Sequence, residues 1–152
     1  MNVGDVFVWH NYPYRKAGKI KDRWFIYLGT FKADPFSRSL SEVFVMIPTT
    51  TTQLHHYEPE GDRYSHSIVR FTPSQGFGFE VECVADFDAV FYDITLATFN
   101  KFRQEDDIEV RGRIDHEPTM KKINNAVQQA RFIDRRIKRS ITENLRTAGF
   151  DV

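Results

Sequence analysis

The fold is decided by a run of aromatic and aliphatic residues, Arg23-Trp24-Phe25-Ile26-Tyr27-Leu28, which Gly29 ends. Such a composition favours a β-strand, and a glycine or proline after it is typical of a turn. Similar short runs bounded by Gly, Pro, Asp or Ser span residues 5–9, 42–47, 68–71, 78–84, 89–92 and 108–112. Short strands separated by turns, with no amphipathic helix between the early ones, predict a mainly β fold of the sandwich or barrel type.

The last part of the chain has a helical period instead. Apolar residues recur every three or four positions, at Met120, Ile123, Val127, Ala130, Ile133, Ile137, Ile141, Leu145 and Ala148. Pro118 beside an acidic residue favours a helix start and Gly149 a stop, so we predict a long basic helical part over residues 115–149. One continuous helix would be about 46 Å long, whereas a domain of this length has a radius of gyration of roughly 15 Å. Either the helix breaks near residues 134–136 or its second half packs on another subunit, and the absence of Gly and Pro inside it favours the second.

Composition and charge place the chain among globular proteins with one basic end. A hydrophobic content of 41% in 152 residues predicts a single domain, 1–152, with a β part over 1–114 and the helical part over 115–149. The net charge is zero, yet residues 120–152 carry eight basic and three acidic side chains. No apolar run approaches the length of a membrane span and no signal segment is evident, which predicts a cytoplasmic protein. The single cysteine, Cys83, excludes an intramolecular disulfide and lies in an apolar run, so we expect it to be buried.

Three motifs occur in an order that points to a known family. Gly4-Asp5 opens an apolar strand, Arg23 begins a second strand after a basic loop, and Pro48-Thr49-Thr50-Thr51 ends a third. In this order and spacing the sequence resembles the MazF/PemK family of toxin ribonucleases, and the likeness is firmest over residues 3–53. The resemblance implies a compact SH3-like β-barrel of the MazF/PemK and CcdB type, finished by the C-terminal helix.

The resemblance also implies an active site. The arginine of the family falls on Arg23 and its threonine on Thr50, which would make them the catalytic residues for cleavage of single-stranded RNA. A guanidinium binds phosphate oxygens bidentately and stabilises the charge that develops as the 2′-hydroxyl attacks, while a hydroxyl beside it donates a hydrogen bond. Lys19, Lys21 and Thr51 lie close by in the sequence and are expected to bind the substrate. The family further implies a homodimer, an antitoxin as protein partner, and no metal or other cofactor.

Departures from the family pattern leave two other functions open. Trp24 follows the arginine where the family usually has proline, and the preceding loop, residues 18–21, has no carboxylate. One alternative is a non-catalytic module that binds nucleic acid. The other is a toxin aimed at a protein, as the gyrase poisons related to this barrel are.

Some polar residues have a simpler structural interpretation. Arg23 is able to form an ion pair with the adjacent Asp22. Asp86 and Asp88, which with Asp93 suggest a metal site, are more simply interpreted as a turn before a strand. His55 and His56 follow the threonines but fall in a polar stretch, which predicts loop residues without a catalytic role.

Overall fold

The computed structural model describes residues 1–14, 21–32, 42–89 and 92–152. Within these ranges the chain forms seven strands and three helices. The strands are β1 (Asp5–Trp9), β2 (Arg23–Lys32), β3 (Glu42–Thr50), β4 (Ile68–Phe71), β5 (Cys83–Asp86), β6 (Tyr92–Thr95) and β7 (Ile108–Arg113). The helices are α1 (Leu96–Gln104), α2 (Glu117–Gln129) and α3 (Arg135–Thr147). None of the helices in the described ranges has the length and hydropathy needed to cross a lipid bilayer.

The strands form one antiparallel sheet in the order β4-β5-β3-β2-β1-β7, and β6 pairs with the first half of β3. The mainly β prediction is therefore confirmed. The closed barrel is not confirmed, because β4 and β7 are the two edges of the sheet and no ladder joins them among the described residues. The protein has an open sheet where the resemblance implied closure.

The β7 edge is covered by a segment that is not a strand. A β-carbon on Gly78 would lie 2.7 Å from the carbonyl oxygen of Arg111, and one on Gly112 would clash with the carbonyl oxygen of Phe77. These glycines allow the two backbones to touch without forming a ladder. For this reason the predicted strand over residues 78–84 is wrong over residues 78–82, and β5 begins only at Cys83.

The other predicted strands are largely confirmed. β1 and β4 have the predicted bounds, and β7 runs one residue further. β2 continues through Gly29 to Lys32 and β3 through Pro48 to Thr50, so the predicted ends of these two strands are wrong. The strand predicted over residues 89–92 falls partly outside the described residues, and β6 begins at Tyr92. Helix α1 is absent from the sequence-based prediction, because only Phe99 of its nine residues is buried and its apolar stripe is correspondingly weak.

The C-terminal part is two helices of 13 residues each, so the favoured prediction of one long helix is wrong. The alternative of a break is confirmed, although the break covers residues 130–134 and the prediction put it near 134–136. The Asp134 side chain caps α3 by accepting a 2.7 Å hydrogen bond from the backbone N–H of Arg136. The Lys138 ammonium donates to the carbonyl oxygen of Gln128 at the end of α2. The turn between the helices buries Ala130 and Ile133, which lets the apolar stripe cover the chain's own sheet instead of a second subunit.

Helix α3 is fastened to β2 at a bulge. The Asn144 amide donates to the carbonyl oxygens of Leu28 (3.1 Å) and Thr30 (2.9 Å), on either side of Gly29. Gly29 has φ +100° and lies against the Asn144 side chain, so a β-carbon there would be both strained and obstructed.

The sheet face under α2 and α3 is the main core. The opposite face carries a smaller set of buried residues, called here the aromatic cluster: Phe7, Trp9, Tyr12, Phe25, Tyr27, Met46 and Phe99.

Candidate active site

The end of the sheet where β1 and β3 stop and β2 begins carries the two predicted catalytic residues. Arg23 pairs with Trp9 of β1, and Phe25 pairs with Pro48 of β3. Continuing the second register by two residues would place Arg23 opposite Thr50, with both side chains on the same face of the sheet. The register holds at this end, since the Thr49 hydroxyl donates to the carbonyl oxygen of Trp24 at 3.4 Å. The β2–β3 ladder itself ends at Phe25 and Pro48, so the pairing of Arg23 with Thr50, 27 positions apart in the chain, is the expected extension of that register.

Arg23 rests against the aromatic cluster. Its guanidinium carbon lies 5.8 Å from the ring centroid of Tyr12, within the range of a cation–π contact. Tyr12 is itself buried and packs edge-on against Trp9, with 5.2 Å between the ring centroids. A rigid aromatic floor restricts the side-chain rotamers of a half-buried arginine. Such restriction lowers the entropic cost of binding an anion in one orientation.

The predicted substrate-binding residues are not all brought to this pair. Lys21 is exposed just before β2, and Lys19 lies outside the described residues. Thr51 lines a small cavity of about 60 Å³ together with Thr49, Trp24 and Cys83. Because side chains alternate along a strand, Thr49 and Trp24 project from the face opposite Thr50 and Arg23. Thr51 therefore belongs with this cavity and not with the Arg23–Thr50 pair.

Asp22, the ion-pair partner that the simpler interpretation assigns to Arg23, is bound to other residues. The Asp22 carboxylate binds Nδ1 of His10 at 2.9 Å and accepts from the backbone N–H of Asn11 at 3.2 Å. The second ring nitrogen of His10, Nε2, lies 3.2 Å from the Glu109 carboxylate. The hydrogen bond to Asp22 is the main cause that raises the pKa of His10, and the same bond lowers the pKa of Asp22. This ion cluster extends from the face that Arg23 does not occupy.

The sequence also offers a thiol and a pair of aspartates as candidates for a reactive cysteine and a metal site. Cys83 is buried as predicted, and burial raises the pKa of its thiol to about 11, so it remains a neutral thiol near neutral pH. Asp86 and Asp88 are buried and accept hydrogen bonds from protein donors. Among the described residues, no group of three or more His, Cys, Asp or Glu side chains is arranged to hold a metal ion.

Asp86 is the residue that sequence reasoning undervalued. Its carboxylate accepts from the Tyr57 hydroxyl (2.9 Å), from Nδ1 of His66 (2.9 Å), and from the backbone N–H groups of Asp88 (2.9 Å) and Ala89 (3.0 Å). The turn at Asp86 and Asp88 was predicted, but the partners Tyr57 and His66 lie 29 and 20 residues away. No local pattern in the sequence points to such distant donors.

The chain was compared with models of protein families and with curated proteins. No family model matches it, and neither does any curated protein. The likeness to MazF/PemK proteins therefore stays a prediction from the sequence motifs around Gly4, Arg23 and Thr50.

Proposed function

We propose that the protein is a toxin-like endoribonuclease that cleaves single-stranded RNA without a metal ion, with Arg23 and Thr50 as its catalytic residues. The observation that supports this proposal is the β2–β3 register at Phe25 and Pro48, which, extended by two residues, would bring the Arg23 guanidinium and the Thr50 hydroxyl to one face of the sheet. The open sheet would then be a variant of the SH3-like barrel. A homodimer, a cytoplasmic location and a cognate antitoxin over the site belong to the same proposal.

The chemistry needs few groups. The ribose 2′-hydroxyl oxygen forms a bond to the adjacent phosphorus, the bond from phosphorus to the 5′-oxygen breaks, and a 2′,3′-cyclic phosphate and a 5′-hydroxyl result. The proton lost from the 2′-hydroxyl and the one gained by the 5′-oxygen are exchanged with water. Arg23 would bind the two non-bridging oxygens as negative charge builds up on them, and the Thr50 hydroxyl would donate to one of them.

The proposal is tested with labelled single-stranded RNA of mixed sequence. Arg23→Lys keeps the charge but loses the planar bidentate donor, so we expect cleavage to fall about 100-fold. Thr50→Ala removes one donor, and we expect a loss of at least ~10-fold. Arg103→Lys on the exposed side of α1 and Thr147→Ala at the end of α3 are matched controls that should cleave like the unaltered protein.

The product ends and the metal requirement are measured in the same assay. We expect cyclic phosphate ends, and the same rate with and without EDTA. The proposal fails if excess protein leaves the RNA intact, or if Arg23→Lys cleaves as well as Arg103→Lys. Binding of RNA without cleavage would favour the alternative of a non-catalytic nucleic-acid-binding module.

A further inference from the structure

A basic groove runs along the contact of α2 and α3. It is an open cavity of about 750 Å³, and every side chain that lines it is polar: Gln128, Arg135, Lys138, Arg139, Thr142, Glu143 and Arg146. Four of these side chains are cationic and one is a carboxylate, so the groove has a local excess of three positive charges. It lies on the helical layer, whereas Arg23 and Thr50 project from the other face of the sheet.

Three of the four cations lie in a line along α3. Arg135, Arg139, Thr142 and Arg146 follow one another at steps of four, three and four residues, which places them on one face of α3. At 1.5 Å per residue, the distance from the first to the last is about 16 Å. A line of this length is sufficient for several successive phosphates of an extended nucleic-acid strand.

Two of these arginines have no structural partner in the described part of the chain. Arg135 and Arg139 are exposed, and neither has an ion pair or a side-chain hydrogen bond to another described residue. Arg146 is exposed and uses its Nε to donate to the main-chain oxygen of Val152 at 2.8 Å. A guanidinium without an internal partner is available to bind an external anion.

The floor of the groove is held in place by hydrogen bonds between the two helices. Lys138 donates to the carbonyl oxygen of Gln128 at 2.8 Å. The Thr142 hydroxyl donates to the Asn124 side chain at 2.8 Å and accepts from the Gln128 amide at 3.0 Å. These bonds fix the angle between α2 and α3. The arginines therefore project from a braced surface.

We propose that this groove binds the sugar–phosphate backbone of single-stranded RNA, independently of its sequence. Phosphate contacts are made by arginine and by polar side chains of this kind. The lining has no apolar or aromatic side chain, which disfavours a partner that docks by hydrophobic anchors and favours a polyanion. The proposal rests on the proposed function only in taking RNA as the ligand, since the groove is remote in the fold from the residues proposed to cleave it.

The test uses 2′-O-methyl RNA of mixed sequence, which lacks the nucleophile and cannot be cleaved. Its affinity for the full chain is measured by fluorescence anisotropy at several salt concentrations. We expect Arg135→Gln and Arg139→Gln each to weaken binding several-fold, and each to flatten the dependence of log affinity on log salt by about 0.7. Glu143→Gln removes the one carboxylate of the groove and should strengthen binding.

Arg136→Gln is the matched control, since Arg136 is an exposed neighbour on the same helix that does not line the groove. It should change the affinity much less than Arg135→Gln. All four positions are exposed, and unchanged thermal unfolding curves will establish that the variants are folded. Equal weakening by Arg136→Gln, or competition by polyglutamate as effective as by RNA, would overturn the proposal.

The two proposals fail separately. If unmodified RNA is not cleaved but the 2′-O-methyl RNA binds with the expected salt dependence, the ribonuclease proposal fails and the groove stands. If RNA is cleaved but Arg135→Gln and Arg139→Gln bind it unchanged, the groove proposal fails alone.

Discussion

Two of the histidine–aspartate pairs among the described residues have the same Nδ1–carboxylate distance but very different surroundings. Nδ1 of His66 lies 2.9 Å from the Asp86 carboxylate, and Nδ1 of His10 lies 2.9 Å from that of Asp22. The Asp86 side chain is 4% exposed, while that of Asp22 is 56% exposed. A buried carboxylate must keep all its donors because water cannot replace them, whereas an exposed one exchanges a lost partner for water.

The inner pair, His66–Asp86, is also part of a wider network. Asp86 holds Tyr57 and His66, and Asp88 accepts from the backbone N–H groups of Ser67 (2.7 Å) and Arg131 (2.6 Å). The loop before β4, the turn after β5 and the end of α2 therefore meet at two carboxylates. The outer pair, His10–Asp22, links only the end of β1 to the starts of β2 and β7. The comparison indicates that burial, and not the bond length, decides which pair the fold depends on.

The largest expected effect is that of Asp86→Asn. The amide has one oxygen and adds two N–H donors, so at least one buried donor among Tyr57, His66 and the backbone loses its acceptor. We expect the free energy of unfolding to fall by about 2 kcal/mol, measured by urea denaturation. The same substitution in the outer pair, Asp22→Asn, should cost less than about 1 kcal/mol. Equal losses for the two variants would break the comparison.

A smaller effect is expected from Tyr57→Phe. Burial is the main cause that raises the pKa of Tyr57 to about 12, so its hydroxyl stays protonated and donates to Asp86. Removing the hydroxyl should lower the free energy of unfolding by about 1 kcal/mol. Tyr64 is 60% exposed, so Tyr64→Phe is the control and should leave the urea midpoint unchanged. A midpoint for Tyr57→Phe equal to that of the control would mean that this hydroxyl adds nothing to the network.

The smallest effect depends on pH and concerns His10. The pKa of His10 is raised from 6.5, mainly by the Asp22 hydrogen bond, and the pKa of Asp22 is lowered from 3.8. A raised histidine pKa stabilises the fold fully below 6.5, and this contribution is lost as the pH rises through the folded-state value. The lowered pKa of Asp22 has the opposite sign: its contribution is present above 3.8 and is lost as the pH falls through the folded-state value.

His10→Gln should therefore be most destabilising near pH 5, between these limits, by less than about 1 kcal/mol because the pair is exposed. Urea denaturation at about pH 5 and about pH 9 measures the difference, which should shrink at the higher pH. If the difference in unfolding free energy between His10→Gln and the unaltered protein is the same at both pH values, the linkage is excluded.

Much of the secondary structure follows from local patterns. β1 and β4 have their predicted bounds because alternating or β-branched runs end at turn residues. Helix α2 begins at Glu117 with Pro118 beside it, as the start signal predicts. The chain folds back between α2 and α3 without Gly or Pro, because the cap at Asp134 and the burial of Ala130 and Ile133 outweigh continuation of the helix. Local propensity alone contained no signal strong enough to choose between these outcomes.

The candidate site was predicted in the same partial way. The order of motifs points to Arg23 and Thr50, and the β2–β3 register at Phe25 and Pro48 is consistent with their lying opposite each other. Thr51 was grouped with them because it is adjacent in the chain. Thr51 lies just beyond the end of β3, where the chain bends and the side chain joins Thr49 and Trp24 in the lining of the small cavity.

The sequence by itself determined the alternation of apolar and polar residues, and with it the strands, the start of α2 and the basic end of the chain. These are properties of neighbours within a few positions, where backbone geometry and side-chain period act directly. The tertiary structure alone decided that the sheet stays open, that the C-terminal helices turn back, and that Asp86 is buried while Asp22 is exposed. Each of these depends on contacts between residues far apart in the chain, whose energies arise only once the core has formed and water has been excluded.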